Sequence, residues 1–241
     1  MRIAFSFKTE VIPISYRMMI VSLIKECLRQ SNEDYYRRLY ESERQTAKPF
    51  TFAPYLKNFR FIEDEIHLDE LVLTFSSPDF EFMFHFYNGL QKVPRFQYKQ
   101  YELIRGRVWM LPEKTIHSRS IIVKTQSPLL IEDEKQKSIA PDHPEFAKHF
   151  AYMADVILRE YRGRGLQESL SVTPLTMRKK VIKESNHVFT ETHGLNRYLY
   201  FTAYQGQLQL EGNPEDLHLL YQLGCGKRRS QGMGFIDIVR G

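Results

Sequence analysis

Residues 224–235 read GCGKRRSQGMGF, and four of the chain's 12 glycines lie in this segment. Two Gly-x-Gly pairs enclose a five-residue insert that begins with Lys227, Arg228 and Arg229. Glycine adopts positive φ at little steric cost, and successive amides in such a loop can bind an anion. The segment therefore predicts either a tight turn with exposed charges or an anion-binding loop. It is not a dinucleotide-binding fingerprint, because Arg229 stands where the third glycine would be, nor a Walker A loop, because Gly-Lys-Ser/Thr is absent.

The elements on either side of this segment can be predicted from local signals. Asn213 and Pro214 are suited to the N-cap and first position of a helix that Gly224 would end. The apolar run from Phe235 to Val239 predicts a final strand. Upstream, residues 198–204 and 207–210 predict a hairpin around Gln205-Gly206.

The order of predicted elements repeats in the two halves of the chain. The first half predicts strands at 2–9, 59–62, 70–76, 100–111 and 121–124, and helices at 16–29, 33–44 and 80–90. The second half predicts a short strand at 128–131, a helix over 146–161, a strand over 170–184, and then the hairpin, helix and strand already described. Each half approximates β-α-β-β-α-β. The sequence thus predicts an α+β protein of two tandem ferredoxin-like domains, 1–125 and 126–241.

Composition excludes several classes of protein. With 241 residues, 42% of them hydrophobic and 26% charged, the chain can form one large or two small ordered domains. No apolar run approaches the ~18 residues that cross a bilayer, and the N-terminus has no secretory signal, so we expect a cytoplasmic protein with no membrane partner. The only cysteines, Cys27 and Cys225, cannot form a disulfide framework or a four-ligand zinc site by themselves. No metal or cofactor is predicted.

Positive charge is concentrated in two places. The net charge is +5, from 34 Lys and Arg against 29 Asp and Glu. Residues 159–183 hold seven basic and two acidic residues, and Lys227-Arg228-Arg229 forms the second cluster. Such clusters can contact phosphates, or they can be solvated charged faces.

The pattern G-h-G-x5-G-h-G (h, apolar), between a capped helix and a final strand, resembles the C-terminal signature of the CRISPR-associated repeat-processing endoribonucleases. These enzymes belong to the repeat-associated mysterious protein (RAMP) superfamily. Further similar segments are Tyr204-Gln205-Gly206, LLYQL at 219–223, KPFTF at 48–52 and TQSPL at 125–129. The resemblance spans the whole chain and implies tandem ferredoxin-like domains, in agreement with the element order.

The resemblance implies that the chain cleaves CRISPR repeat RNA without a metal ion to release guide RNAs. The ribose 2′-hydroxyl attacks the adjacent phosphate, which leaves 2′,3′-cyclic phosphate and 5′-hydroxyl ends. Such a site needs a base, an acid and a cation. Repeat RNA is the expected partner; effector-complex subunits and a second copy of the chain remain open as further partners.

The chain departs from the family at the general base. Family members carry a histidine between the first helices and the KPFTF-like segment, whereas the first histidine here is His67. Tyr40 lies near the expected position and shares a helical face with Tyr36. A tyrosine of pKa ~10 is a poor base at neutral pH, and both could simply be half-buried helix residues. The alternatives are therefore a weak nuclease, an RNA-binding protein that has lost cleavage, and a structural subunit or nucleotide-binding module.

The candidate residues follow from these arguments. We expect Tyr36, Tyr40 and Lys48 to be catalytic. The expected RNA-contacting residues are basic side chains and loop glycines: Arg38, Arg44, Arg178, Lys179, Lys180, Lys183, Gly224, Gly226, Lys227, Arg228, Arg229, Gly232 and Gly234.

Overall fold

The first half of the chain forms a five-stranded antiparallel sheet with helices packed on it. The computed structural model describes residues 1–42, 47–185 and 198–240. The elements of this lobe are β1 (Arg2–Lys8), α1 (Tyr16–Ser31), α2 (Glu33–Tyr40), β3 (Thr51–Lys57), β6 (Glu70–Ser76), α3 (Phe80–Lys92), β7 (Arg95–Tyr98) and β8 (Tyr101–Leu111). The strand order is β3-β6-β1-β8-β7. Without β7, this is the ferredoxin-like order.

The second half repeats this arrangement. Its elements are β9 (Ser120–Thr125), α4 (Phe146–Arg162), β10 (Ser171–Glu184), β11 (Leu199–Glu211), α5 (Pro214–Leu223) and β12 (Ile236–Arg240). The strand order is β10-β11-β9-β12, which matches β3-β6-β1-β8 of the first lobe. The predicted α+β class with tandem ferredoxin-like folds is confirmed. No helix of the described residues is long and apolar enough to span a membrane.

Two local predictions were wrong, and one strand that was predicted correctly pairs in the other sheet. The strand at 121–124, assigned to the first domain, is β9 and pairs with both β11 and β12 in the second sheet. We therefore propose that the second domain begins before residue 120 rather than at 126. Residues 128–131 contribute one isolated bridge, Leu129 to Tyr204, instead of a strand. β11 runs straight through Gln205-Gly206, so the hairpin is formed by β10 and β11 and not at that dipeptide.

A small third sheet extends from the first lobe. It consists of β2 (Val11–Pro13), β4 (Arg60–Ile62) and β5 (Glu65–His67), in the order β2-β5-β4. All three residues of the edge strand β4 are exposed.

Each lobe has its own apolar core. In the first, Phe5, Phe75 and Phe86 pack between the sheet and α1 and α3, with Phe75 and Phe86 centroids 4.5 Å apart. In the second, Phe150 and Leu158 of α4 meet Leu220 of α5 over the sheet. Two separate cores agree with two ferredoxin-like units.

The glycine segment turns the chain between α5 and β12 and packs against both lobes. The amide of Lys227 donates to the Leu130 carbonyl at 2.9 Å, and that of Gly234 donates to the Pro128 carbonyl at 2.8 Å. On the other side, the Thr51 hydroxyl of β3 donates to the Met233 carbonyl at 3.2 Å. The segment is thus a joint between the lobes, and its four glycines are buried while Lys227 and Arg228 are exposed.

Arg2 makes a second joint. Its side chain is 4% exposed, and its Nη2 donates to the carbonyls of Tyr221 and Ile236 at 2.7 and 2.8 Å. The guanidinium also lies 3.5 Å from the Tyr221 ring centroid and 3.2 Å from an Asp237 oxygen. Strand β1 is therefore fastened to α5 and β12 of the other lobe.

We predict that Gly234→Ala destabilises the protein more than Gly163→Ala. Both glycines have positive φ, 69° and 78°, so either alanine costs ~1–2 kcal/mol in backbone strain. A Cβ at Gly234 would lie 1.8 Å from the Cys225 carbonyl oxygen, whereas one at Gly163 meets nothing within 4 Å. Overpacking adds about 1–3 kcal/mol for Gly234 alone. Urea denaturation measures both free energies of unfolding, and equal losses would show that the joint is not tightly packed.

Candidate nucleic-acid interface

The predicted tyrosines lie on the short helix α2. Asn32 caps the helix by accepting a hydrogen bond from the Tyr35 amide at 2.9 Å. The rings of Tyr36 and Tyr40 stack with centroids 5.5 Å apart, which confirms that they share one face. Tyr36 is 3% exposed, and its hydroxyl accepts a hydrogen bond from Arg29 at 2.6 Å. Burial, together with Tyr36, raises the pKa of Tyr40, so its phenolate is even scarcer at neutral pH than that of a free tyrosine.

Lys48 lies beside this pair. It is half-buried, and its Nζ donates to the Leu39 carbonyl at the end of α2. The ammonium groups of Lys25 and Lys48 each lie 5.0 Å from the Tyr40 ring centroid. Burial, with a smaller contribution from Lys25, lowers the pKa of Lys48. The Lys48 ammonium group thus lies over the Tyr40 ring and gives up its proton more readily than an exposed lysine does.

A pocket of about 320 Å³ joins Lys48 to the glycine segment, and we call it the cationic pocket. Its walls come from residues 47–48, from one side of α4, and from the glycine segment. Its lining residues are Ala47, Lys48, Tyr152, Met153, Val156, Ile157, Glu160, Gly226, Lys227, Arg228, Arg229 and Ser230. It therefore unites one predicted catalytic residue with predicted RNA-contacting residues that are far away in sequence.

The three cations of the insert have different environments. Lys227 and Arg228 are exposed. The Arg228 guanidinium lies 4.1 Å from the Phe201 ring centroid, and its Nη1 donates to Gln231 Oε1 at 2.9 Å. Arg229 is 7% exposed, donates to the Leu223 carbonyl at 2.7 Å, and burial lowers its pKa to about 10. Arg229 therefore caps the C-terminal end of α5, whereas Lys227 and Arg228 face solvent.

The glycines of the predicted loop are buried and form a tight turn. All four, Gly224, Gly226, Gly232 and Gly234, have positive φ. The amides of Gly224, Gly232 and Gly234 donate to carbonyls of the protein itself, at 2.8, 3.2 and 2.8 Å. In this conformation those three amides do not face an anion. The four glycines thus form a tight turn, and their contact with RNA stays a prediction.

The remaining predicted cations lie on two other elements. Arg178, Lys179 and Lys180 are exposed on β10, and Lys183 lies 5.2 Å from the Tyr198 ring centroid. Strand β9 pairs with β11 only over Gln207–Glu211, so this part of the β10–β11 hairpin projects beyond the sheet. Arg38 of α2 is exposed and pairs with Glu81. The predicted Arg44 lies outside the described residues.

Sequence reasoning missed the contribution of α4. Tyr152 is 67% exposed and lies on the pocket wall with Glu160. The apolar stripe of this helix was predicted from the sequence, but the side of α4 that lines the pocket could be assigned to a site only once the glycine segment was placed beside it. Within residues 1–42, 47–185 and 198–240, no three His, Cys, Asp or Glu side chains lie close enough to hold a metal ion.

Comparison with solved structures identifies the fold. A protein from a Cas6-related gene of Pyrococcus furiosus superimposes with a TM-score of 0.82 at 18% identity, covering 99% of this chain and 98% of the other. A RAMP protein that binds different RNA substrates gives 0.79 at 16%, covering 100% of both chains. A CRISPR-associated protein Cas6 gives 0.74 at 20%, covering 100% of this chain and 99% of the other. At these identities, the likeness shows a common fold.

Comparison of sequences gives the family. A search of curated proteins finds no match. The family model for the C-terminal part of CRISPR-associated protein Cas6 matches residues 111–238, which is more than half of the chain. This region contains β9, the β10–β11 hairpin, α5 and the glycine segment. The chain therefore belongs to the Cas6 family of CRISPR-associated proteins.

Proposed function

We propose that this Cas6-family chain binds CRISPR repeat RNA with the scissile phosphate in the cationic pocket and cleaves it there as a metal-independent endoribonuclease. The 2′-hydroxyl oxygen attacks the adjacent phosphorus and the 5′-oxygen leaves. The 2′-hydroxyl loses a proton and the leaving oxygen gains one, which gives 2′,3′-cyclic phosphate and 5′-hydroxyl ends. The observation that carries this proposal is the convergence of Lys48, Lys227 and Arg228 on one pocket.

Charge in the pocket favours a phosphate. Four of its twelve lining residues are basic and one, Glu160, is acidic. Fixed cations stabilise the additional negative charge that develops on the phosphorane, and they act most strongly where water is partly excluded. Lys48, held by the Leu39 carbonyl and the Tyr40 ring, is the best-positioned group for this role.

The pocket is weakly equipped for proton transfer. Among the described residues that line it, none is a histidine. Burial raises the pKa of Tyr40, which makes it a poor base. Cleavage would therefore depend on positioning of the 2′-hydroxyl and on positive charge, and we expect it to be slow.

A second candidate function is binding of repeat RNA without cleavage. The observation that favours it is that no described residue lining the cationic pocket is a histidine, together with the burial of Tyr36. Single-turnover incubation of repeat RNA with excess protein and EDTA distinguishes the two functions. Slow appearance of cyclic-phosphate ends supports the nuclease, and intact RNA that remains bound supports the second candidate.

We predict that Ala47→His accelerates cleavage. Residue 47 is exposed on the pocket wall next to Lys48, so an imidazole there would add a group with a pKa of ~6.5. A positioned base contributes about 10²–10⁴-fold. The single-turnover rate in EDTA should rise by about that factor and should increase with pH through ~6.5. Ala47→Gln is the control, since it is polar but does not titrate, and equal rates for the two variants would contradict this location of the scissile phosphate.

We predict that Lys48 matters for cleavage more than the Tyr40 hydroxyl does. Lys48→Ala removes the ammonium group and should lower the single-turnover rate by about 10²-fold, comparable with loss of one oxyanion-stabilising group. Tyr40→Phe keeps the ring beneath Lys25 and Lys48 and should change the rate less than about threefold. Circular dichroism checks that both variants fold. A large effect of Tyr40→Phe with none of Lys48→Ala would reverse the proposed roles.

We predict that Lys227 and Arg228 contact phosphates of repeat RNA. The double variant Lys227→Ala/Arg228→Ala should weaken binding and reduce the slope of log affinity against log salt by about 0.7 for each phosphate of single-stranded RNA that the protein no longer neutralises. Fluorescence anisotropy at several KCl concentrations measures the slope. Arg119→Ala is the control. Arg119 is exposed and lies just before β9, whereas Pro128 and Leu130, which bind the glycine segment, follow β9. If the double variant keeps the wild-type slope, the RNA does not cross this insert.

A further inference from the structure

An acidic side chain, Glu160, lies on the wall of the cationic pocket. It belongs to α4, where Tyr152, Val156 and Glu160 follow one another at intervals of four residues and therefore share one side of the helix. Glu160 is exposed. Among the described residues that line the pocket, every other charged side chain is basic. A carboxylate at this position therefore needs an explanation.

The Glu160 carboxylate is available to a ligand. Within the described parts of the chain, no hydrogen bond or ion pair joins it to another side chain, whereas its basic neighbours on α4 are paired elsewhere. Arg159 lies 2.6 Å from Asp155, and Arg162 lies 2.6 Å from Asp216. The carboxylate thus faces the pocket without a partner that would have to be displaced.

The charge of Glu160 acts inside the pocket. Burial lowers the pKa of Arg229 in the glycine segment to about 10, and Glu160 is among the charges that oppose this shift. The interaction links the side of α4 that lines the pocket to the insert that carries Lys227 and Arg228. A phosphate held by those two cations would therefore lie in the same small space as the carboxylate.

Electrostatics limit what this carboxylate can contact in bound RNA. An ionised carboxylate only accepts hydrogen bonds, and it repels phosphate oxygens. The sugar–phosphate backbone of RNA offers one kind of donor, the ribose 2′-hydroxyl. With the scissile phosphate attracted to Lys48 and Arg228, the adjacent 2′-hydroxyl is the backbone group that Glu160 can pair with. Cleavage requires this same hydroxyl to lose its proton.

The other titratable groups of the pocket are less suited to accept that proton. Phenol, ammonium and guanidinium groups ordinarily hold their protons at neutral pH, whereas a carboxylate has already lost its own. Among the described residues that line the pocket, Glu160 is the only carboxylate, and no histidine is present.

We propose that Glu160 is the general base of RNA cleavage in this chain. Its carboxylate takes the proton of the 2′-hydroxyl while the O2′–P bond forms and the P–O5′ bond breaks, and the leaving 5′-oxygen takes a proton from water. Glu160 then returns its proton to the hydroxide ion, so no other reactant is consumed. The inference rests on the proposed function, because it assigns a proton acceptor to the same pocket. A carboxylate is a weaker base than imidazole, which agrees with slow cleavage.

The first test compares the rate of cleavage with RNA affinity. Glu160→Gln keeps the size of the side chain and removes the proton acceptor and its charge. The single-turnover rate in EDTA should fall about 10²-fold. Repeat RNA should bind at least as tightly as to wild type, because a charge that repels phosphate is gone. Glu134→Gln is the matched control and should behave as wild type, since Glu134 is exposed on the same lobe but outside the pocket.

The second test is chemical rescue. Glu160→Ala leaves room in the pocket for formate, a small carboxylate that can take up the same proton. Sodium formate should raise the rate of Glu160→Ala at least about tenfold, a part of what a positioned base contributes. Sodium chloride at the same concentration should not. Formate should also leave the rate of Lys48→Ala unchanged, because that variant lacks a cation and not a base.

The third test uses binding alone. A 2′-deoxy substitution at the nucleotide 5′ of the scissile phosphate removes the proposed hydrogen bond to Glu160. It should weaken binding to wild type about tenfold, as for loss of a hydrogen bond to a charged group, and should leave binding to Glu160→Ala unchanged. Fluorescence anisotropy measures both affinities, and thermal melting verifies that the variants fold.

Two results would overturn the assignment of Glu160. One is cleavage by Glu160→Gln at the wild-type rate. The other is an equal effect of the 2′-deoxy substitution on wild type and Glu160→Ala, combined with no rescue by formate, which would indicate a merely structural role. If Lys48→Ala slows cleavage while Glu160→Gln does not, only this assignment fails. If wild type leaves repeat RNA intact, the proposed nuclease function fails as well.

Discussion

The turn at residues 224–235, whose four glycines are buried, fixes how the two lobes pack against each other. It carries the chain from α5 to β12, and its amides donate to the carbonyls of Pro128 and Leu130. It also meets the first lobe, where a Cβ on Gly232 would lie 2.7 Å from the Phe52 ring. Only residues without a side chain allow backbone this close on both sides while holding positive φ. The relative position of the two lobes follows from this packing, with Arg2 as a second fastening.

The candidate site is a consequence of that joint. Strand β3 holds Thr51, which donates to the glycine segment, and Lys48 lies three residues earlier on the same stretch of chain. The insert between the glycine pairs consequently presents Lys227 and Arg228 across the pocket from Lys48. The amides of Gly224, Gly232 and Gly234 donate to carbonyls of the protein itself, so the site that we propose relies on side-chain cations. A glycine-rich segment next to a basic insert therefore need not bind phosphate through its backbone amides.

Sequence reasoning succeeded where structure is local. Helical and strand periodicity predicted two ferredoxin-like units, and the four-residue spacing of Tyr36 and Tyr40 predicted their shared face. It failed where the structure of a segment depends on pairing with strands that are distant in the sequence. Gly206 resembles a hairpin turn, yet it is a strand residue at which a Cβ would lie 1.6 Å from the Thr176 carbonyl oxygen, beside the register shift of β10.

The site was only partly predictable for the same reason. The basic insert and Lys48 were identified from sequence, but their common pocket required the folded chain, and so did the wall from α4. The burial of Tyr36 and the capping role of Arg229 could not be read from residue type, since both depend on neighbours brought together by the fold. Likewise, Tyr55, Phe59 and Phe61 of the first lobe line one cleft with Tyr200 of the second, and no local pattern in the sequence connects these residues.

Photo-cross-linking of bound repeat RNA that carries 4-thiouridine beside the scissile phosphate, followed by peptide mass spectrometry, shows whether that phosphate enters the cationic pocket. We expect adducts at residues 47–48 and at 227–228, because both stretches line the cationic pocket. Adducts confined to other surfaces, such as the exposed face of α3 or strand β7, would contradict it.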